Sequence, residues 1–516
     1  MRAWRGWLGM VCLLLCVVPV YAGAAQQDEH TTEEHVIEER AAELVLRGQL
    51  DGRDHQTYRT VPFTVAPGTA RITVEFDYTG REDKTTIDLG LLDPDGFRGW
   101  SGGNKRLFTV SANDATPSYL PGHLKPGTWK LLLGIPNIRP DSKAEYTARI
   151  RFTPAGTPEE IPASLLPVLN PQPGWYRGDL HMHTAHSDAS CANQSGTRVP
   201  CPLFLTAQAA VERGLDFVAI TDHNAVSHLH DIRGLQPYYD RLLMMPGMEI
   251  TTFQGHVNAF GLQADLDFRL GSDEVPDWNT LLERMQQRGV PVSINHPMVP
   301  SGERCMGCGW TPKNPVSLHR FIAVEAVNGV DPGTPISGIP FWHKQLSAGY
   351  RLTAIGGSDN HNAPLQEASF GASRIGIPTT VVYAENLSQP AILAGIRSGR
   401  VFIDVQGSRD RKLDFNVRHD GGETPMGGAL ALEKDARASF TIDIENAVGG
   451  RVEVLVDGEP AALLGDAKVH NAAQRHSFDW RSDGRRHWLS VNVYGADGRL
   501  QLLSNPIYVN FAAPAD

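Results

Sequence analysis

Short runs of alternating apolar and polar residues fill the first third of the chain, from about residue 43 onward. Such alternation predicts β-strands, because successive side chains of a strand point to opposite faces. Turn sequences such as Pro67-Gly68 and Pro126-Gly127 separate the runs. We therefore expect an antiparallel β-sandwich over residues 43–156. Its predicted strands are 44–50, 60–65, 70–78, 86–92, 129–133 and 146–152.

The pattern changes near residue 172. Strand-like runs that end in polar residues now alternate with segments whose apolar residues are spaced three or four apart, as in helices. This alternation predicts β/α units, and hence a barrel of parallel strands over residues 172–406. The predicted helices are 203–214, 278–288, 342–349 and 387–398.

Short alternating strands return in the last hundred residues, for example at 438–444, 451–456 and 488–494. Asp-Gly turns typical of hairpins separate them. They predict a second β-sandwich over residues 411–512. The expected fold class is therefore multidomain, with a (β/α) barrel flanked by an N-terminal and a C-terminal β-sandwich.

The first 24 residues have the features of a signal peptide. Arg2 and Arg5 precede an apolar stretch over residues 7–20, and small residues follow it. A membrane anchor is the alternative, but the stretch is shorter than the roughly 20 residues a spanning helix needs. We expect an exported protein, periplasmic or secreted, with no membrane span after signal removal. Residues 25–42 then form an acidic leader segment.

Composition narrows the class of partner. The 516 residues are 41% hydrophobic and 20% charged, which suits about three globular domains. The net charge of −11 gives no global positive field, so we expect no stable nucleic-acid binding. A small-molecule substrate is the remaining expectation.

Four of the six cysteines remain after signal removal, and export places them in an oxidising compartment. Nearest-neighbour pairing predicts disulfides Cys191–Cys201 and Cys305–Cys308, although four cysteines allow three connectivities. The C-x-x-C pair at 305–308 has two alternatives, zinc binding and disulfide exchange. The glycines and proline around it indicate a loop, which favours a structural disulfide.

Eleven of the nineteen histidines lie between His181 and His361, most of them where a predicted strand ends. Because strand ends of a parallel barrel share one face, these side chains can converge on metal ions. Nine ligands exceed the needs of one ion, and two to three divalent ions (Zn, Mn or Fe) sharing a carboxylate fit the number. The candidates are His181, His183, Asp188, His223, Glu249, His256, His296, Asp359 and His361.

Two other groups near these positions receive different interpretations. Asp222 precedes a candidate ligand, and we expect it to accept hydrogen bonds that fix the neighbouring imidazoles. The remaining histidines of this region are interpreted as structural; they are His186, His228, His230, His319 and His343.

The sequences DLHMHTAHSD, TDHN, PGMEIT, GHVNAFG, NHP and GSDNH occur in this order between residues 175 and 403. They resemble the motifs of the polymerase and histidinol phosphatase (PHP) family of metal hydrolases. The resemblance implies a distorted seven-stranded barrel and a three-metal site. By motif position, the three ions would be held by His181, His183, Glu249 and Asp359; by Glu249, His256 and His296; and by Asp188, His223 and His361.

The resemblance also implies hydrolysis by a hydroxide held between the metal ions. We expect two residues to be catalytic: Glu249, which would be shared between two ions, and Asp222, which lies beside a candidate ligand. A phosphoesterase is the first expectation, with Arg304, Lys313, Arg320 and Arg374 as nearby cations.

Two other functions stay open. The export signal, the first sandwich and the NPIYV ending resemble a branch that includes carbaryl hydrolases. This suggests a carbamate, amide or carboxylic ester hydrolase, with apolar walls such as Met182, Phe253, Trp310 and Phe341. The other is a binding protein whose barrel is an inactive scaffold, but its sign would be missing ligands.

Overall fold

The computed structural model describes residues 36–40, 43–156, 167–303, 305–329, 332–365 and 373–511, with the backbone alone for 36–40. The predicted signal peptide and most of the leader lie outside these ranges. The protein is multidomain and rich in sheet, with five sheets and five α-helices in the described ranges. None of these helices is long and apolar enough to span a bilayer.

Nine strands form two antiparallel sheets in the N-terminal region. They are β1 (Val36–Arg40), β2 (Glu43–Asp51), β3 (Thr57–Val65), β4 (Thr69–Tyr78), β5 (Thr86–Asp93), β6 (Gly96–Gly102), β7 (Leu107–Ser111), β8 (Gly127–Asn137) and β9 (Lys143–Pro154). The sheet orders are β1-β2-β9-β4-β7 and β3-β8-β5-β6. Inward side chains of both sheets, such as Ile72 and Leu131, share one core. All six predicted strands are confirmed, and β1 lies in the predicted leader.

Eleven strands follow in the middle region. They are β10 (Gly174–Asp179), β11 (Ser190–Ala192), β12 (Arg198–Pro200), β13 (Phe217–Ile220), β14 (Leu243–Thr252), β15 (Gly255–Phe260), β16 (Val292–Ile294), β17 (Ala323–Asn328), β18 (Thr353–Gly357), β19 (Thr379–Ala384) and β20 (Val401–Asp404). Except for the separate β11-β12 hairpin, they form one sheet in the order β18-β17-β16-β15-β14-β13-β10-β19-β20.

The middle sheet is mixed, so the expectation of parallel strands alone is wrong. β14 and β15 pair antiparallel, with Thr252 opposite Gly255, because only a two-residue turn joins them. β15 also pairs antiparallel with β16, and β10 with β19. The pairs β10-β13, β13-β14, β16-β17 and β17-β18 are parallel.

The helices are α1 (Leu203–Arg213), α2 (Leu229–Leu235), α3 (Trp278–Gln287), α4 (Ile339–Ala348) and α5 (Gln389–Ser398). The four predicted helices are confirmed with shifted ends, and α2 was not predicted. Local capping fixes two of them: the Asp277 carboxylate accepts a hydrogen bond from Thr280 N, and Ser388 Oγ accepts one from Ala391 N. With so few helices, a helix-rich (β/α)7 barrel is not evident.

Ten strands form the C-terminal region. They are β21 (Lys412–His419), β22 (Gly422–Pro425), β23 (Ala429–Leu430), β24 (Arg437–Glu445), β25 (Arg451–Val456), β26 (Glu459–Ala461), β27 (Ala473–Arg481), β28 (His487–Tyr494), β29 (Leu500–Ser504) and β30 (Ile507–Val509). One sheet, β22-β21-β24-β27, stands alone. The other continues the middle sheet, because β29 pairs with β20 through Ile403 and Leu503.

A buried ion pair links the N-terminal sandwich to the middle region. The Asp114 side chain is fully buried and accepts hydrogen bonds from Arg71 Nη1 at 2.9 Å and Arg233 Nη2 at 3.2 Å. Arg71 Nη2 also donates to Gln263 Oε1 at 3.3 Å. Charge-assisted bonds out of water hold the two regions together.

We predict that Asp114→Asn lowers the free energy of unfolding by about 3 kcal/mol, because two arginines lose their buried counter-charge. Urea denaturation followed by tryptophan fluorescence measures the effect. Asp77→Asn is the matched control: its side chain is 67% exposed and pairs with Arg81. That change should cost less than about 1 kcal/mol. Equal effects of the two substitutions would contradict the linking role of Asp114.

Candidate metal centre

The nine candidate residues lie at one edge of the middle sheet. His181 and His183 follow β10, His223 follows β13, His296 follows β16, and Asp359 and His361 follow β18. The segments after β10 and β18 also pair, since Asp359 N donates to His181 O and His183 N donates to Asn360 O, both at 2.9 Å. This pairing brings residues separated by nearly 180 positions into one cluster.

The antiparallel β14-β15 hairpin explains the place of His256. In a parallel neighbour, a residue that opens a strand would lie at the opposite edge from the strand ends. Because the chain reverses after Thr252, His256 instead lies opposite Thr251, near the end of β14 that carries Glu249. The mixed sheet therefore places both residues in the cluster.

The first predicted set surrounds two carboxylates. His183 Nε2 lies 3.0 Å from Asp359 Oδ1, and His181 Nε2 lies 3.4 Å from the same oxygen. His181 Nε2 is also 3.4 Å from Glu249 Oε1, and His183 Nε2 is 3.6 Å from Glu249 Oε2. Both histidines are buried.

The second predicted set meets at the same glutamate. His256 Nδ1 and His296 Nε2 lie 3.3 Å and 3.2 Å from Glu249 Oε1. Glu249 thus faces members of two sets, as a shared carboxylate must. Asn295 Nδ2 donates to the same Oε1 at 2.9 Å and fixes its orientation.

The third predicted set is more open. His361 Nε2 and His223 Nε2 lie 3.3 Å and 3.6 Å from Asp188 Oδ1. The Asp188 side chain is 62% exposed, whereas Glu249 is buried. His223 Nδ1 points the other way, 2.8 Å from Glu249 Oε2. This set therefore adjoins the others at the solvent side.

The cluster has the chemistry of a cation site. Its imidazole nitrogens and carboxylate oxygens approach each other in groups of three or four atoms that all lie within 4.8 Å of one another. Within the described ranges, several of these buried atoms lie near opposite charges but make no hydrogen bond of good geometry, among them His181 Nε2, Glu249 Oε2 and His256 Nδ1. Unpaired buried polar atoms are costly, and a shared cation would satisfy them. The residues therefore fit divalent metal ions.

Glu325 is a site residue that the sequence interpretation missed. It is fully buried in β17, and its Oε1 lies 2.7 Å from His181 Nδ1. Its Oε2 accepts hydrogen bonds from His296 N at 3.0 Å and Asn328 Nδ2 at 3.1 Å. A carboxylate in this position turns the other nitrogen, Nε2, toward the cluster. The signal was present as a charged residue inside the apolar strand AVEAVN.

Asp222 lies buried beside the cluster and holds a loop. Its carboxylate accepts hydrogen bonds from Thr184 N and Oγ1, both at 2.7 Å, and from Ser187 Oγ at 2.6 Å. Its Oδ2 is 3.1 Å from His228 Nδ1. These contacts fasten the segment that leads to Asp188. The imidazole beside it is thus His228, one of the histidines interpreted as structural.

The ionisation of the cluster follows from its charges. Burial raises the pKa of Glu249 and of Asp359, but the positive charge of His181 outweighs it and holds both pKa values well below their usual range. Burial lowers the pKa of His361, yet its hydrogen bond to Asp188 and the charge of Asp359 together raise this pKa to about 9. The carboxylates are therefore ionised at neutral pH, the form that binds cations, whereas a cation would have to displace the protons of His181 and His361, whose pKa values are raised.

Two candidate ligands have strained backbones. His296 and Asp359 adopt φ angles of 24° and 53°, in the region that side chains with a Cβ rarely occupy. The hydrogen bonds from their N–H groups to Glu325 and to His181 O hold these conformations. The strain turns each side chain into the cluster immediately after its strand ends.

The predicted cysteine pairing is confirmed. Disulfides join Cys191 to Cys201 and Cys305 to Cys308. The second one lies beside the cluster, because Cys308 Sγ belongs to a group with His256 and His296 whose ligand atoms are all within 4.8 Å.

Comparison with known proteins does not assign this chain to a family. No protein-family model matches the chain, and no curated protein matches it. A xylanase10C mutant from Cellvibrio japonicus in complex with xylopentaose is 7% identical over 42% of this chain and 43% of its own, with a TM-score of 0.14. A glycosyl hydrolase family 2 member from Bacteroides cellulosilyticus is 7% identical over 90% and 91%, with a TM-score of 0.15. Likenesses this low carry no argument about fold or reaction.

We predict that protein purified without chelator contains about two to three divalent transition-metal ions per chain, because nine ligand-type side chains converge. Elemental analysis by mass spectrometry measures the content. Combined alanine substitution of His256 and His296 should remove one of these ions. Fewer than about one ion per chain in the unsubstituted protein would refute the metal centre.

We predict that Glu325→Gln weakens zinc binding by about 10- to 100-fold, because the neutral amide no longer orients and polarises His181. Competition against a chromophoric chelator measures the affinity. Glu283→Gln, an exposed position on α3, is the matched control and should leave the affinity unchanged. If the two variants bind zinc equally well, Glu325 does not tune the site.

Proposed function

We propose that this protein is an exported, metal-dependent hydrolase of the PHP type, and that it cleaves phosphate esters. The observation that carries the proposal is the convergence of all nine candidate ligands, from several strands and the loops that follow them, on one cluster whose buried ligand atoms include some without a well-formed hydrogen bond. The two disulfides are consistent with an oxidising compartment outside the cytoplasm.

The proposed fold is the distorted seven-stranded barrel that the resemblance implies. Seven consecutive strands of the sheet, β10 and β13 to β18, would form the wall of this barrel. Support comes from the backbone hydrogen bonds at 2.9 Å between the segments that follow its first and last strands, at His181 with Asp359 and at His183 with Asn360. A barrel needs such closure, because it leaves no free edge.

Metal ions at the cluster would lower the pKa of a water molecule toward neutrality and polarise a substrate oxygen. The residues of the chain would hold and orient this centre. Glu249 would be shared between two ions, and Glu325 and Asn295 keep His181 and Glu249 in their orientations. Asp222 would act indirectly, without contacting a metal ion, because it positions the loop that carries Asp188.

Charge favours a phosphate ester over a neutral substrate. Four carboxylates lie in the cluster, those of Glu249, Asp359, Asp188 and Glu325, so two divalent cations would leave it neutral and three would leave it net positive. A net positive site compensates the charge of a phosphoryl group, which also increases in the transition state. Of the four expected cations, Lys313 and Arg320 are exposed, and Arg320 donates to Asn279 O at 3.3 Å; Arg374 is half-buried, and Arg304 lies outside the described residues.

An aryl carbamate or ester is the second candidate, and one observation favours it. Phe253 lies in the turn of the β14-β15 hairpin that carries Glu249 and His256, and its apolar side chain is 84% exposed. The other expected apolar walls are less exposed: Met182 is fully buried, and Trp310 and Phe341 pack against the hydrophobic core.

We predict that Glu249→Gln lowers kcat on the preferred substrate by roughly 10³-fold or more, because it removes the charge that two ions share. The assay uses nitrophenyl phosphate, bis-nitrophenyl phosphate, nucleotides, naphthyl carbamate and naphthyl acetate. We expect phosphate substrates to be preferred by about tenfold or more in kcat/KM. Glu385→Gln, at an exposed position, is the control and should keep full activity.

The two results test different parts of the proposal. The reverse substrate ranking would assign the protein to the carbamate and ester hydrolases. Unchanged turnover in a folded Glu249→Gln protein, checked by circular dichroism, would refute the shared-carboxylate mechanism for either substrate.

A further inference from the structure

The loop that carries the Cys305–Cys308 disulfide forms one wall of the metal cluster. His256 Nε2 lies 3.4 Å from the backbone carbonyl of Met306, which sits between the two cysteines. With Nε2 donating to this carbonyl, the opposite nitrogen, Nδ1, is the one that faces Glu249. The loop therefore sets the orientation of a candidate ligand.

The loop is held in this place by close backbone packing. Gly307 has a φ of 81°, and a Cβ there would meet Thr252 O at 2.0 Å. The peptide thus lies directly on the turn of the β14-β15 hairpin, which carries Glu249 and His256. A side chain at this position would push the loop away from the site.

The two cysteines face different surroundings. Cys308 is 1% exposed, and its sulfur lies within 4.8 Å of ligand nitrogens of His256 and His296. Cys305 is only half-buried, and the neighbouring Met306 is 67% exposed. An external thiol can therefore reach Cys305 more easily, whereas the sulfur of Cys308 points at the cluster.

We propose that Cys308 is a redox-dependent ligand of the cation held by His256 and His296. In the disulfide its sulfur is bonded to Cys305 and is a poor ligand; after reduction the thiolate completes a two-histidine, one-cysteine set beside Glu249. The inference rests on the proposed metal centre and extends it to a change of ligand set with redox state.

The reductant is a dithiol, and the exchange balances. One thiolate of the dithiol attacks Cys305 Sγ, the Cys305–Cys308 bond breaks, and Cys308 leaves with the electron pair as a thiolate. The second thiol of the reductant then displaces Cys305 and closes the reductant's own disulfide. Two electrons have moved from the dithiol to the cysteine pair.

The consequence is a change in metal preference. A soft thiolate beside two imidazoles favours zinc and disfavours manganese, which prefers oxygen ligands. The oxidised protein offers that ion only histidine and carboxylate ligands. Reduction should therefore tighten zinc binding at this one position.

The test uses Cys305→Ser, which frees Cys308 without any reductant, and Cys305→Ser/Cys308→Ser as its matched control. Both keep the Cys191–Cys201 disulfide. The full mature chains are freed of metal, loaded with Co²⁺ and compared with the oxidised protein. We expect a near-ultraviolet thiolate-to-cobalt absorption in Cys305→Ser alone, and zinc binding at least about tenfold tighter than in the double variant. Thermal unfolding checks that both variants fold.

A second arm removes the alternative of a purely structural disulfide. Oxidised protein that carries Cys191→Ser and Cys201→Ser is reduced with a dithiol, the excess is removed, and Co²⁺ is added. The same absorption should appear. Cobalt bound without it, in this protein or in Cys305→Ser, would overturn the inference and leave the metal centre intact. No cobalt bound in any variant would overturn both the inference and the proposed function.

Discussion

The buried carboxylate of Glu249 is the constraint on which the centre of the molecule depends. It is fully buried, and imidazole nitrogens of four histidines lie within 3.4 Å of its oxygens: His181, His223, His256 and His296. A buried charge of this kind must be compensated by opposite charge and hydrogen bonds. Each compensating histidine comes from a different strand or from the segment that follows it. The sheet order, the β14-β15 hairpin and the positive φ angle of His296 together bring these histidines to one carboxylate.

Much of this site could be predicted because several of its candidate ligands occur in pairs only two residues apart in the sequence. The pairs His181 with His183 and Asp359 with His361 follow strand-like runs, and strand ends of neighbouring strands share an edge. Glu325 escaped prediction, since a single glutamate within an apolar strand gives no spacing to its partner, 144 positions away. Its role is visible only in the three-dimensional structure, where Glu325 of β17 contacts His181 in the segment that follows β10.

The secondary-structure elements of the fold were also largely predictable, whereas the pairing of its strands was not. Alternation and helical spacing identified the strands and helices named in advance, but not how the strands pair. The antiparallel β14-β15 pair depends on a two-residue turn at Phe253 and Gln254, which carries no strong turn sequence. The continuation of the middle sheet into the C-terminal region depends on contacts such as Ile403 with Leu503, whose separation in the chain hides them from local patterns.

That shared sheet affects how the chain must fold as it is made. β20 finds its partner β29 only after the residues near 500 have been synthesised, and Asn505 supplies side-chain hydrogen bonds to Ala354 and Val401. At ribosomal rates of about 5–20 residues per second, the edge of β20 stays unpaired for on the order of 10 s. During that interval the exposed strand is open to pairing with another chain. Secretion in an unfolded state, with folding only after the whole chain has crossed, would avoid this hazard.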